Sequence, residues 1–147
     1  MLAQCFANGA TGFAWFEDPY TDDPGAYLAL AEAIGIAAEH EDIIINGTGA
    51  TAVLSVSSGN AVGSAVALGG RHFIALSPDA INAYTGTDRP PPSMVDVSFD
   101  AGSGAAMELR DLRDKSKPPA HCSGGKCSVR LVLDSTAVFL FAPPTGL

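Results

Sequence analysis

From residue 42 onward the sequence consists of short apolar runs separated by turn-forming residues, and this pattern limits the chain to a fold built mainly from strands. The runs are rich in Val, Ile, Leu and Phe, whereas Gly, Asn, Asp and Pro stand between them. Such spacing is typical of antiparallel strands that are joined by tight turns. Eight strands are predicted, at residues 42–45, 51–57, 62–68, 71–77, 94–99, 105–110, 127–133 and 136–141.

The order of polar and apolar residues within single strands indicates sheets with one buried face. In the strand at 127–133, the odd-numbered positions from 129 are apolar, whereas positions 128 and 130 are polar. This alternation is typical of antiparallel sheets that pack on a core. Gly69 and Gly70 predict a two-residue hairpin turn, because glycine accepts the positive φ angles that such turns require. The sequence therefore predicts a mainly β fold, an antiparallel β-sandwich of about seven to eight strands.

The first 40 residues follow a different pattern, that of one strand and one helix. Residues 10–16 are apolar without alternation, which predicts a short strand buried on both faces. Asp23 can cap a helix that begins at Pro24 and is predicted to run to about residue 38. Apolar residues of this helix recur at spacings of three and four and form one stripe, at Tyr27, Ala31, Ile34 and Ala38. The sequence thus divides into a βα unit at 1–40 and a β-sandwich domain at 41–147.

The chain also begins in an unusual way. Residues 1–7 have the composition of a helix interior and are followed at once by the turn-forming Asn8 and Gly9. A sequence that starts in the middle of an element leads us to expect a truncated part of a longer protein.

Length and composition allow a packed core and exclude several classes of partner. A chain of 147 residues with 47% hydrophobic content is large enough to bury a core. Only 16% of the residues are charged and the net charge is −8, which argues against a nucleic-acid partner. The basic residues between 110 and 117 are interrupted by Asp111 and Asp114, as is typical of a solvated loop. No apolar run approaches the roughly 20 residues that cross a bilayer, and no signal-peptide pattern is present, so no membrane partner is predicted.

The sequence contains three cysteines, an odd number that leaves at least one thiol unpaired. Cys122 and Cys127 flank the segment Ser-Gly-Gly-Lys, and two states fit this spacing equally well. One is a small disulfide across a β-turn in an exported protein, and the other is a pair of reduced thiols. His121 lies beside Cys122 but has no second ligand pair at the spacing of a zinc site. We therefore predict no metal site and no cofactor.

Five segments together resemble the end of a (β/α)8-barrel glycoside hydrolase. Gly9–Phe16 resembles the last barrel strand, and Asp23–Ile34 resembles the helix that follows it. Glu41–Thr48 resembles the entry into a C-terminal β-domain, and Arg110–Arg113 and Thr136–Phe141 resemble its closing strands. The resemblance implies that the chain combines the terminal unit of an incomplete barrel with an appended antiparallel β-sandwich.

The resemblance further implies that substrate contacts lie at Trp15, Glu17 and Asp18. In barrel enzymes the chemistry is located at the C-terminal ends of the strands, which here means the end of the strand at 10–16. Trp15 is expected either to stack on a sugar ring or to pack in the core between strand and helix. Glu17 and Asp18 either accept hydrogen bonds from sugar hydroxyls or stabilise the loop. Adjacent residues of an extended backbone point in opposite directions, so these two do not form a catalytic pair.

Function follows from what the chain lacks as well as from what it contains. In the enzymes that it resembles, the two catalytic carboxylates come from earlier barrel strands, so no catalytic residue is assigned. The sequence favours a C-terminal fragment or accessory β-domain of a carbohydrate-active glycoside hydrolase that is not catalytic alone. The alternative is a stand-alone β-sandwich module that binds carbohydrate or protein. The expected partners are a carbohydrate and either the remainder of a barrel or a second copy of the chain, and an extracellular parent protein is favoured.

Overall fold

The computed structural model describes residues 2–10, 24–56, 61–78, 92–133 and 136–144. Within these ranges the helices are α1 (Leu2–Ala7), α2 (Pro24–Glu39) and α3 (Glu41–Asn46), and Thr51–Val53 forms a 3-10 turn. The strands are β1 (Thr48–Gly49), β2 (Leu54–Val56), β3 (Ala61–Leu68), β4 (Arg71–Pro78), β5 (Ser93–Asp100), β6 (Met107–Asp111), β7 (Ala120–Cys122), β8 (Lys126–Leu133) and β9 (Ala137–Ala142).

The strands form two antiparallel sheets that share one core. The larger sheet has the order β1-β3-β4-β9-β6-β7, and the smaller sheet has the order β2-β5-β8. Phe99 of the smaller sheet packs against Phe139 and Phe141 of the larger sheet, with ring centroids 6.1 and 5.7 Å apart. Side chains from both sheets therefore build a single apolar layer between them. The predicted mainly β fold, an antiparallel sandwich, is confirmed.

A second apolar layer covers the outer face of the larger sheet. Apolar side chains of all three helices pack there against Val66, Phe73, Ala75 and Val138. Residues 73–76 of β4 are consequently all buried, because odd-numbered positions face the helices and even-numbered positions face the smaller sheet. The described residues thus form three layers: helices, the six-stranded sheet and the three-stranded sheet.

The hairpin between β3 and β4 forms as the sequence predicts. Gly69 and Gly70 occupy the turn with φ angles of +57° and +78°, and Leu68 pairs directly with Arg71. The predicted strands at 62–68, 71–77, 94–99, 105–110, 127–133 and 136–141 correspond to β3, β4, β5, β6, β8 and β9. The helix predicted over residues 24–38 is α2. The strand predicted at 10–16 and the helix cap at Asp23 fall on residues that, except for Ala10, lie outside the described ranges.

The strand predicted at 42–45 is wrong, because these residues belong to α3. A short run of isoleucines fits a buried strand and a buried helical turn equally well, so periodicity cannot separate the two. In the structure Ile43 and Ile44 are buried against the larger sheet, whereas Ile45 is exposed. Glu41 and Asp42 lie in the first turn, where negative charge is favourable next to the helix N-terminus.

Three further differences concern short elements. The strand predicted at 51–57 is a 3-10 turn followed by the three residues of β2. The strands β1 and β7, of two and three residues, were not predicted. Both are the outermost strands of the larger sheet, and so few residues carry no readable alternation.

Cys122 and Cys127 form a disulfide that joins the two sheets. Cys122 ends β7 of the larger sheet and Cys127 lies in β8 of the smaller sheet, with their Cα atoms 5.0 Å apart. Gly124 and Gly125 make the intervening turn with positive φ angles. Both sulfur atoms belong to buried residues of the inner core, whereas Cys5 is an exposed free thiol.

Candidate functional site

The residues for which sugar contacts were predicted, Trp15, Glu17 and Asp18, lie outside the described residues. Their role stays a prediction. The structure instead directs attention to α2, which follows them in the chain and whose two sides differ in their surroundings.

The inner side of α2 packs on the sandwich. Ile36 and Ala37 are buried in the layer between the helices and the six-stranded sheet. The stripe predicted from the sequence, at Tyr27, Ala31, Ile34 and Ala38, lies elsewhere on the helix, and all four residues are exposed.

The outer face of α2, defined here as Tyr27, Leu28 and Ile34, presents large apolar side chains to the surroundings. These side chains are 53%, 73% and 39% exposed, respectively. Helices that are apolar on more than one side are typical of positions between two packed layers. Only one of those layers, the sandwich, belongs to the described chain.

Two ion pairs hold α2 to the β6–β7 loop, residues 112–119. Arg113 donates from Nε and Nη2 to the two carboxylate oxygens of Glu32, at 2.9 and 3.1 Å. Lys115 Nζ lies 2.6 Å from Glu39 Oε1, and this hydrogen bond lowers the pKa of Glu39. Arg113 also donates from Nη1 to the carbonyl oxygen of Thr136 at 2.8 Å. The basic residues of this loop thus connect the helix, the loop and the start of β9.

The sequence did not predict this arrangement. It suggested a solvated basic loop, but the acidic partners on α2 precede Arg113 and Lys115 by 81 and 76 residues. Local patterns of charge cannot show contacts across such a separation.

A cleft of about 520 Å³, which we call the α2 cleft, lies where α2, the β6–β7 loop and the ends of β8 and β9 meet. Its apolar lining residues are Leu131, Val132, Leu133, Ala137 and Phe139. Its polar lining residues are Glu32, Asp111, Arg113, Asp114, Lys117 and Thr136. Small-molecule sites combine apolar surface with convergent polar groups, and in this cleft the polar lining residues are about as numerous as the apolar ones.

The polar groups of the α2 cleft are ordered by contacts with one another. Asp111 Oδ1 accepts hydrogen bonds from the backbone N–H groups of Arg113 and Asp114, at 3.0 and 3.2 Å. Lys117 Nζ lies 3.1 Å from Asp111 Oδ2 and 3.4 Å from Asp114 Oδ2, and the contact with Asp111 chiefly raises the pKa of Lys117. A hydrogen bond from the Ser116 hydroxyl chiefly lowers the pKa of Asp114. Lys117 and Asp114 are therefore both charged at neutral pH and form an ion pair.

A second depression, of about 570 Å³, lies on the outer face of the three-stranded sheet. Asp96 of β5 and Arg130 of β8 are directly opposite each other and form a two-contact ion pair, with Nη2 2.9 Å from Oδ2. Ser98 and Ser128 form the next outward-facing pair. This surface is an ordinary cross-strand ladder of polar side chains, so we do not assign it a function.

His40, between α2 and α3, has a buried ring nitrogen. Its Nε2 atom finds no hydrogen-bond partner among the described residues, and the ring lies against Phe73 with centroids 6.1 Å apart. Desolvation by burial lowers the pKa of His40, and Arg71 and Lys115 lower it further. The carboxylates of Glu39 and Asp42 act in the opposite direction but do not reverse the shift. The folded chain therefore favours the neutral ring.

We expect the free energy of unfolding to fall when the pH drops below 6.5, because His40 of the unfolded chain then binds a proton more readily than His40 of the folded chain. Its pKa in the folded chain lies below the ordinary value of 6.5. When the pH lies between the pKa of His40 in the folded chain and 6.5, the unfolded chain binds a proton that the folded chain excludes. Stability that is present above pH 6.5 is therefore lost as the pH falls through this window. Urea unfolding at pH values of about 7.5 and 5.5 measures the difference.

The variant His40→Gln provides the control, since it keeps a polar side chain but does not titrate. Its stability should change less between the two pH values than that of the unaltered chain. The lowered pKa values of Glu39 and Asp42 place their titration at more acidic pH, outside the window. Equal losses in the two proteins would show that His40 is not responsible.

Two further properties can be stated for the described part of the chain. His, Cys, Asp and Glu side chains do not come together there in a group of three that could hold a metal ion. Among the described helices, none combines the length and the apolar character that crossing a membrane requires.

Comparison with known proteins gives matches to solved structures alone. No protein family matches the sequence, and no curated protein matches it significantly. An α-amylase from Anoxybacillus, described as belonging to a new glycosyl hydrolase subclass, matches 92% of this chain with a TM-score of 0.54 and 15% identity. A maltogenic α-amylase from Thermotoga neapolitana matches 86% with a TM-score of 0.51 and 7% identity. A GH27 β-L-arabinopyranosidase from Geobacillus stearothermophilus matches 74% with a TM-score of 0.45 and 18% identity.

These matches concern the fold. The chain spans 28% of the length of each α-amylase and 22% of the arabinopyranosidase. The two α-amylase matches show that this fold also occurs as a part of glycoside hydrolase chains, as the resemblance in the sequence implied.

Proposed function

We propose that this chain is the C-terminal accessory β-domain of a carbohydrate-active glycoside hydrolase, that it is not catalytic alone, and that α2 forms its contact with the catalytic barrel. The observation that carries the proposal is the exposure of Tyr27, Leu28 and Ile34 on a helix whose other side is buried on the sandwich. A helix in this position fits between the sandwich and a second domain.

The energetics of the outer face of α2 support this position. Burial of one such side chain stabilises a structure by about 1.5–3 kcal/mol relative to leaving it exposed. Adjacent exposed apolar residues on one helix are typical of surfaces that contact a partner. A barrel whose outer helices are apolar on one side would supply the missing layer.

The proposal also implies a position for the residues that are predicted to contact sugar. Residues 1–40 would be the last unit of the barrel, so that the outer face of α2 would contact the other barrel units, and residues 41–147 would form the sandwich beside it. Trp15, Glu17 and Asp18 would then lie at the C-terminal end of a barrel strand, where substrates bind. The catalytic carboxylates would come from the other strands of the barrel. The two α-amylases support the layout, since the segment similar to this chain is a minor part of each.

An exported parent enzyme is part of the proposal. The disulfide between Cys122 and Cys127 supports it, because such bonds persist mainly in oxidising compartments.

The first test is the state of association of the chain in solution. We expect the chain alone to form dimers or larger species and to bind a hydrophobic dye, because the apolar side chains on the outer face of α2 are exposed. The variant Tyr27→Gln, Leu28→Lys, Ile34→Gln should be monomeric and should bind less dye. Light scattering over a range of protein concentrations measures the association.

A matched control places the same kind of change elsewhere. Met94 and Val132 are 55% and 57% exposed on the outer face of the three-stranded sheet, where they pair across β5 and β8. The variant Met94→Gln, Val132→Thr should associate as the unaltered chain does. A chain that is monomeric at every concentration, or one whose association depends on Met94 and Val132, would contradict the proposed role of α2.

The second test concerns the gene. We expect the coding DNA immediately upstream of the Met1 codon to continue in frame with further βα units. The longer protein should hydrolyse glycosidic bonds, whereas the chain alone should not. A stop codon directly upstream, with no barrel encoded nearby, would contradict the proposal.

The alternative is a stand-alone β-sandwich module that binds carbohydrate or protein. The α2 cleft favours it, because a cleft of this size with a mixed lining does not depend on a barrel. Association separates the two functions: a stand-alone module should be a monomer with or without the changes on α2.

A further inference from the structure

The α2 cleft has the size and the framework of a small-molecule site. Its volume of about 520 Å³ lies within the range of about 300–1,000 Å³ that is typical for such sites. Leu133 and Phe139 are also members of the inner core, so the apolar side of the cleft is held by the packed sandwich. Arg113 connects α2 and the start of β9 and thereby fixes the polar side. A site that is ordered in advance loses little entropy when a ligand binds.

The charges of the cleft restrict the chemistry of its ligand. Arg113 is paired with Glu32, and Lys117 is paired with Asp111 and Asp114. An anionic ligand would have to compete with these carboxylates, and a cationic ligand would have to compete with these bases. A neutral ligand avoids both penalties.

The remaining hydrogen-bonding capacity points to hydroxyl groups. A carboxylate offers about four acceptor positions, and an ammonium or guanidinium group offers three or five donors. Among the described residues, the ammonium group of Lys117 contacts Asp111 and Asp114, so its third N–H donor can reach a ligand hydroxyl. Apolar lining residues such as Leu131 and Ala137 offer aliphatic surface to the C–H face of a sugar ring.

We propose that the α2 cleft binds a neutral saccharide and is a sugar-binding site separate from any catalytic centre. The polar rim contacts the hydroxyls, and the apolar lining contacts the ring carbons. The proposal goes beyond the accessory function and does not depend on it, because a stand-alone module would carry the same cleft.

Calorimetric titration with maltotriose, cellotriose and xylotriose tests the site. We expect at least one of these neutral sugars to bind with a dissociation constant in the millimolar range or below. Trigalacturonate, which is anionic, should bind more weakly than the best neutral sugar. The absence of binding by all three neutral sugars at tens of millimolar, or tighter binding of trigalacturonate, would overturn the proposal.

Variants locate the binding. Lys117→Met keeps most of the side chain and removes its donors, so affinity should fall about tenfold or more, given the strength of a charge-assisted hydrogen bond. The matched control is Lys126→Met, because Lys126 is also an exposed lysine paired with a carboxylate, Asp100, but lies on β8 outside the cleft. It should leave affinity unchanged. Thermal unfolding verifies that both variants are folded.

The outcomes also separate this proposal from the accessory function. The titration is repeated on the variant Tyr27→Gln, Leu28→Lys, Ile34→Gln, which retains Glu32 and the cleft. If Lys117→Met loses binding and the α2 variant binds normally, the saccharide site in the α2 cleft is supported. This conclusion holds whether or not the chain associates. If Lys117→Met and the unaltered chain have equal affinity, the proposal that the α2 cleft binds the saccharide is overturned. The proposed contact of α2 with a barrel is not affected by that result.

Discussion

Replacement of Phe99 by alanine is expected to lower the free energy of unfolding by about 3–5 kcal/mol. Phe99 is 1% exposed and lies between the two sheets, where its ring contacts those of Phe139 and Phe141. Alanine would lose the transfer free energy of the ring and leave a cavity beside Phe139 and Phe141, both of which are held in β9 and cannot move far enough to fill it. Urea unfolding monitored by circular dichroism measures the change.

Met94 provides the control for Phe99 because both residues belong to β5. Met94 points outward and is 55% exposed, so Met94→Ala should alter the free energy of unfolding by no more than about 0.5 kcal/mol. If Phe99→Ala had an effect as small as Met94→Ala, Phe99 would not be part of a core shared by the two sheets.

Replacement of Gly47 by alanine is expected to destabilise the fold by about 3 kcal/mol, at the upper end of the usual range for overpacking. The backbone of Gly47, with φ −77° and ψ 171°, is one that any residue can adopt, so the requirement for glycine is spatial. An added Cβ would clash with the carbonyl oxygen of Ile43 and would lie 2.9 Å from that of Ala67. Backbone atoms at both contacts cannot move aside, so α3 would have to shift away from β3.

Gly49 is the matched control, two residues further along the chain. An added Cβ at Gly49 would meet no atom within 4 Å, and this glycine does not have a positive φ angle. Gly49→Ala should therefore leave stability within about 0.5 kcal/mol of the unaltered chain. Comparable melting temperatures for Gly47→Ala and Gly49→Ala would show that α3 does not approach β3 as closely as the structure describes.

The position of α2 shows why the candidate site could be predicted only in part. The sequence predicted the helix, because Asp23 and Pro24 are typical of a helix start and the apolar residues that follow recur at spacings of three and four. It did not predict which side of the helix would be buried. Apolar residues lie on several sides of α2, so the choice of Ile36 and Ala37 for the inner side depends on the shape of the sheet and on α1 and α3.

The α2 cleft could not be predicted from the sequence for a related reason. Its residues come from α2, from the loop after β6 and from β8 and β9, which are far apart in the chain. Single features such as the interrupted basic cluster could be read locally. The pairing of Arg113 with Glu32, which orders the rim, exists only after the helix packs on the sandwich.

By itself, the sequence determined the mainly β fold, the hairpin at Gly69 and Gly70, and the approximate bounds of the longer strands, because these features depend on alternation and on turn-forming residues that are neighbours in the chain. Only the tertiary structure decided that Ile43 and Ile44 lie in a helix, which side of α2 is buried, and where the cleft forms. These depend on contacts between distant segments, whose apolar burial outweighs the weak local preferences of short apolar runs.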